Sequence, residues 1–266
     1  MIRALALAVA LACPGTALAQ AGLDALDRRS ELLGWEAVGR LDMPHGTCTA
    51  TLIAADVVLT AAHCLHGLDA DAPVRFRAGL SHGRAVSERQ LAGWVMPERY
   101  RTDRGALERT ESVGLDVALG RLDAPISTTD ADPFLVLTDE ARGDALSVVS
   151  YGRGRLDAPS RQGTCRIRQR FTHEVLGFDC DVTFGSSGAP VFARQGRRMR
   201  ILSVVSAGDG VRAFGPRVAG RIAPLQAALD RDVPAPASTT GIKRLRVGEG
   251  RAGASGARFV RPERSP

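Results

Sequence analysis

Between Ala37 and Ala207 apolar residues come in short runs, several alternating with polar ones and most bounded by Gly, Pro, Asp or Ser. Runs of this length and rhythm predict strands. They fall at Ala37–Leu41, Thr49–Ala54, Val57–Thr60, Val74–Ala78, Val117–Leu122, Leu146–Tyr151, Arg166–Phe171, Pro190–Ala193 and Ile201–Ala207. Their spacing suits an all-β barrel or sandwich. The period changes near the end of the body. Val218, Ile222, Leu225 and Leu229 lie four, three and four positions apart, which predicts one apolar face of a helix over 218–230. Asp123 to Pro133 is rich in Asp, Thr and Pro and reads as a connector. No repeat of fixed period divides the chain.

The two ends are of different character. Met1-Ile2-Arg3, the apolar run Ala4–Ala12 and the small residues Ala17-Leu18-Ala19 make an export signal over 1–19. Cys13 could instead carry a lipid, but the apolar run before it is short and Ala10 suits that signal poorly. No later stretch approaches the ~20 apolar residues that a transmembrane helix needs. At the other end, residues 231–266 are rich in Pro, Gly, Ala, Ser and Arg and lack apolar periodicity, so they are predicted to be disordered. They hold eight Lys/Arg against three Asp/Glu. Most of the net charge of +6 therefore belongs to this segment, and the balanced body gives no sign of a specific nucleic-acid surface.

Removal of the signal leaves four cysteines, Cys48, Cys64, Cys165 and Cys180, an even number in an oxidising compartment. Their spacing suggests the pairs Cys48–Cys64 and Cys165–Cys180, although two other connectivities are open to four cysteines. Neither CxxC nor HExxH occurs, and no metal site is predicted.

Two segments carry chemistry. Leu59-Thr60-Ala61-Ala62-His63-Cys64 ends an apolar strand on small residues and presents one histidine beside a cysteine. Phe184-Gly185-Ser186-Ser187-Gly188-Ala189-Pro190 brackets two serines with glycines, a pattern that permits a tight turn with converging N–H groups. A serine nucleophile needs an imidazole to take its proton, a carboxylate to hold that imidazole and N–H donors for the oxyanion. Ser187 is the better nucleophile candidate, with the Gly185 and Ser187 N–H groups as oxyanion donors. The string is not the GxSxG elbow of α/β-hydrolases, and its histidine precedes its serine, against their order.

Taken together, these segments resemble the trypsin/chymotrypsin superfamily. Thr60 to Cys64 matches its histidine motif, Cys48 lies where the partner of Cys64 belongs, and Gly185 to Pro190 matches its serine motif with two changes. Leu115-Asp116-Val117-Ala118-Leu119 resembles the strand start that delivers the third member, Asp116. Val204 to Gly208 resembles the substrate-binding strand, with Ser206 supporting the aspartate and Gly208 meeting substrate. The resemblance implies two packed six-stranded antiparallel barrels with a C-terminal helix. The first, 20–125, would carry His63 and Asp116, and the second, 126–217, Ser187. It also implies a secreted or periplasmic monomeric endopeptidase acting on polypeptides without a cofactor. The alternative is a catalytically inactive binding protein on the same fold, but all three triad residues are present.

The departures are equally specific. Ser186 stands where trypsin-like zymogens carry an aspartate that pairs with a newly cut N-terminal amine, and no Ile-Val-Gly-Gly start occurs near Trp35. That activation switch is not expected here. The Ser186-Ser187 pair is closer to a bacterial branch near the glutamyl endopeptidases. Val205, however, occupies the position of a glutamate-reading histidine, so glutamate specificity is not expected. Asp181, six residues before Ser187, stands where trypsin selects basic side chains, though the adjacent Cys180 makes the loop different.

Overall fold

The computed structural model describes residues 22–139, 145–209 and 212–236. The expected export signal and most of the basic C-terminal segment lie outside them.

Six strands form the first half: β1 (Val38–Met43), β2 (Gly46–Ala54), β3 (Val57–Thr60), β4 (Arg75–Ala78), β5 (Ser87–Val95) and β6 (Ala118–Leu122). They close into a barrel in the order β1-β2-β3-β6-β5-β4, every neighbour antiparallel. Closure leaves no unpaired edge. β3 shows why its sequence reads as a continuous apolar run: Val58 points into the barrel core with Leu41, Leu52 and Phe76, while Val57 and Leu59 face the second half. A strand buried on both faces has no polar side to alternate with.

The second half comprises β7 (Ala145–Ser150), β8 (Ser160–Arg170), β9 (Val175–Phe178), β10 (Pro190–Gln195), β11 (Arg198–Val204) and β12 (Ala213–Pro216). Their order is β11-β10-β7-β8-β9-β12, ending on the two-residue strand Ala207–Gly208, with Asp24–Ala25 added beside β8. This sheet curls without full ladder closure. An isolated bridge, Ser203 to Arg217, joins its two ends. Its own core holds Leu146, Val148, Phe178 and Val191. A third cluster joins the halves and receives Leu225 and Leu229 of the C-terminal helix, Ala219–Asp232. At its centre the rings of Trp35, Phe134 and Phe192 pack with centroids 4.6–5.7 Å apart.

Three of the twelve numbered strands escape the sequence pattern, as does the two-residue strand Asp24–Ala25. β5 alternates poorly, and β9 and β12 are four-residue segments, each with an internal glycine. A Cβ on Gly215 would lie 1.8 Å from the Val204 carbonyl oxygen, so close backbone approach, not side-chain pattern, selects that residue. The strand expected over Ile201–Ala207 also breaks. Beyond Val204, Val205 leaves the ladder to exchange backbone hydrogen bonds with Gly188 and Ala189.

Candidate active site

The histidine and the aspartate come together through neighbouring strands. Thr60, the last residue of β3, pairs with Ala118, the first of β6. His63 lies three residues beyond one and Asp116 two residues before the other. The chain leaves β3 into a short helix, Ala62–Leu65, whose second N–H belongs to His63. A helix start leaves such donors without internal partners. Asp116 supplies the acceptor, its Oδ1 taking the His63 N–H at 2.8 Å. Its Oδ2 meets His63 Nδ1 at 2.7 Å and also accepts a hydrogen bond from the Ser206 hydroxyl. Three donors thus satisfy a carboxylate that is 3 % exposed, the condition for burying a charge. A carboxylate can only accept, so the shared proton sits on Nδ1, and the neutral imidazole with that tautomer has its lone pair on Nε2.

Tyr100 closes the other side of this cluster. Burial, and then the Asp116 charge, push its phenol well above its ordinary range, so it stays neutral. The Arg104 guanidinium lies over its ring at 5.4 Å.

Cys48 and Cys64 are bonded, as are Cys165 and Cys180. The first bridge ties β2 to the helix that carries His63. Cys48, His63 and Cys64 lie close enough to suggest a metal cluster, but both sulfurs are consumed in the disulfide and offer no thiolate.

Ser187 lies on the turn before β10, half-buried, between Gly185 and Gly188, both at positive φ. Gly188 is obligatory on contact grounds as well. A Cβ there would lie 2.2 Å from Thr60 Oγ1 and 2.9 Å from the Ala61 nitrogen, which brings the turn against the segment leading to His63. Ser186 is fully buried; its hydroxyl donates to Ser150 Oγ at 3.0 Å and accepts the Thr183 N–H at 3.3 Å. Among the described residues, neither the Gly185 nor the Ser187 N–H meets a protein acceptor, and no hydrogen bond joins His63 to Ser187.

The segments expected to meet substrate touch at one place. Val182 lies against Gly208, which is exposed on the two-residue strand Ala207–Gly208. Asp181 is exposed, its N–H held by Gln162 Oε1 at 2.6 Å. The half-buried Arg155 is pulled below its ordinary value by burial, and the Asp181 charge opposes that pull. Val205 is buried in the core of the second half. Phe184, next to Gly185 of the turn, is 75 % exposed, with the Arg153 guanidinium stacked over its ring at 4.3 Å.

Motif reading does not find Thr49, Ser150, Tyr100 or Thr183. The signal available was a set of hydroxyl side chains at fully buried places, Thr49, Thr51 and Thr60, within strands that are otherwise apolar.

A closed barrel packed on a half-barrel, with His, Asp and Ser segments meeting along the seam, defines a serine-protease class of protein. The chain belongs to the trypsin family, whose model, described as Trypsin, matches residues 28–229. Solved structures of the same fold include a Glu endopeptidase in complex with MPD, at 16 % identity and a TM-score of 0.64, covering 80 % of this chain and 97 % of that one. A thermostable serine protease, AL20, from an extremophilic microorganism matches at 21 % identity and 0.55, covering 68 % and 91 %. The protease Anisep from Arthrobacter nicotinovorans matches at 20 % and 0.56, covering 68 % and 90 %. At these identities the likeness is one of fold. No curated protein matches the sequence.

Proposed function

We propose that the chain is an exported serine endopeptidase that cleaves polypeptides through an acyl-enzyme on Ser187. One observation carries this reading: the buried Asp116 orients His63 through two hydrogen bonds, beside a turn that leaves two N–H groups without acceptors among the described residues. In the proposed reaction Ser187 Oγ attacks the scissile carbonyl carbon and its proton passes to His63 Nε2. Asp116 steadies the imidazolium, and the carbonyl oxygen, now an oxyanion, is received by the Gly185 and Ser187 N–H groups. His63 then gives its proton to the leaving nitrogen as the C–N bond breaks. Water, deprotonated by the same imidazole, releases the acid and restores Ser187. Catalytic hydrogen bonds are often long in ligand-free proteases and tighten with substrate, which accommodates the open His63–Ser187 contact.

Export is supported by the N-terminal signal pattern and by the pairing of all four cysteines that follow it. The exposure of Asp181, and the Arg155 charge beside it, favour at most a mild preference for basic residues before the scissile bond. The test is a fluorophosphonate probe on the mature protein. It should label Ser187 and not Ser186, and labelling that survives Ser187→Ala would overturn the assignment.

A further inference from the structure

The expected absence of an N-terminal switch leaves a physical question: what holds the turn with its two N–H groups turned outward. A peptide unit is planar and trans, so its N–H and the preceding C=O point in opposite directions. Fixing a carbonyl therefore aims the N–H on its far side. Four successive peptides of this turn are fixed in that way. The Phe184 carbonyl accepts the Arg153 N–H at 2.7 Å, which aims the Gly185 N–H. The Ser186 carbonyl accepts the Ala189 N–H at 2.9 Å, which aims the Ser187 N–H. The two peptides between and after them are held by one residue of the other barrel, Thr49 of β2. Its hydroxyl donates to the Gly185 carbonyl at 2.9 Å, and its N–H donates to the Ser187 carbonyl at 2.8 Å.

Thr49 is itself over-determined. It is fully buried, its hydroxyl also accepts the Tyr151 N–H at 3.0 Å, and its carbonyl accepts the Thr60 hydroxyl at 2.9 Å. Every polar atom of the residue is engaged, and each partner lies on or beside the turn or on the strand leading to His63. Reversal of the Gly185–Ser186 peptide would cost the Gly185 carbonyl its donor, break the Ser186 N–H bond to the Thr183 carbonyl, and leave the buried Thr49 hydroxyl with the Tyr151 N–H but no acceptor for its own proton. Groups left unpaired are costly, so this peptide keeps its orientation and helps to hold the two N–H-bearing peptides on either side of it.

We infer that Thr49 is a positioning residue that keeps the oxyanion-binding turn in its active form, doing with a neutral cross-barrel hydroxyl what an inserted N-terminal ammonium does in trypsin-like zymogens. This rests on the reading of Ser187 as nucleophile. Ser186 completes the arrangement, since it places a neutral hydrogen-bonded hydroxyl where an ammonium would need a charge.

The test compares Thr49→Val, which keeps shape and backbone N–H but removes the hydroxyl, with Thr49→Ser, which keeps the hydroxyl. Peptide hydrolysis, fluorophosphonate labelling rate and Tm are measured on each. Thr49→Val should lower kcat and the labelling rate by about ten- to a hundredfold, below or at the edge of what outright loss of an oxyanion donor costs, with KM little changed. Thr49→Ser should recover most of that loss even though it removes a buried methyl. Wild-type rates in Thr49→Val, or rates that follow Tm alike in both variants, would overturn the inference. A second arm leaves the core untouched: wild-type protein beginning at Gln20, and forms with a few residues added before it, should be labelled at similar rates. Dependence on one particular N-terminus would equally overturn it. Absence of labelling in wild type would instead count against Ser187 as nucleophile.

Discussion

The two halves of this protease arrange their candidate catalytic groups by different means. In the first barrel, His63 and Asp116 flank paired ends of adjacent strands, so the ladder that closes the barrel also brings them within hydrogen-bond reach. In the second half, Ser187 belongs to no strand. Its turn is aimed by bonds to Thr49 across the seam and to Val205, where the neighbouring strand has broken. The proposed base and its orienting acid thus follow from regular structure within one barrel. The proposed nucleophile and its N–H donors depend on how the two halves dock. Perturbations should separate accordingly, with changes to the first pair altering proton transfer and changes to the turn altering oxyanion binding.

The largest expected effect lies in the first barrel. Asp116→Asn should leave the fold intact yet lower turnover by roughly 10⁴, the loss that a carboxylate-to-amide change produces in Ser-His-Asp triads by favouring the wrong tautomer. A loss below about tenfold in steady-state kinetics would mean that another carboxylate serves. The corresponding blow to the second half is Gly188→Ala. Its Cβ would collide with Thr60 Oγ1 and with the Thr49 carbonyl, 2.4 Å away, at a φ of +76°. Displacing the turn by a fraction of an ångström to an ångström should cost about 10²-fold in kcat. The Asp116–His63 bonds should persist in a crystal structure of that variant; their disruption would show that the two preparations are not separable.

Ser206→Ala removes one of three donors to Asp116 and leaves the two from His63. Hydrogen bonds to charged groups contribute about 1.5–3 kcal/mol, so kcat should fall by about tenfold or somewhat more. A silent variant would mean that the His63 pair orients itself unaided. The smallest effect on rate is expected from the disulfides. Replacing either pair by serine should lower stability by about 2–4 kcal/mol, read as a shift in denaturant midpoint, while low-temperature turnover stays within about threefold of wild type. Loss of turnover confined to the Cys48–Cys64 variant would show that the bridge positions His63 rather than merely stapling the chain.

How much of this was legible from residues follows the same division. Val57–Thr60 was read to the residue because it is apolar on both faces and ends at small alanines. The C-terminal helix was read from its apolar spacing, and it runs to Asp232, two residues beyond the expected end. β5, β9 and β12 were missed because glycine and partial exposure erase alternation. The Ile201–Ala207 strand was read as continuous because its apolar run carries no mark of the break at Val205. Tertiary partners alone impose that break, by claiming the Val205 backbone.

Cysteine spacing suggested the disulfide pairs and left two other connectivities to be decided by the fold. The motif residues, the all-β class and the lack of a charged switch partner at Ser186 were all present in the order of residues. They depend on side-chain type and short-range spacing, which a linear pattern records. The role of Thr49 was not. A threonine in a strand is ordinary, and its meaning comes from two carbonyls brought to it from 136 and more residues away. Which way a peptide unit faces is a backbone choice of small intrinsic preference. At Gly185 the side chain adds almost none, so only the partners assembled by folding decide it.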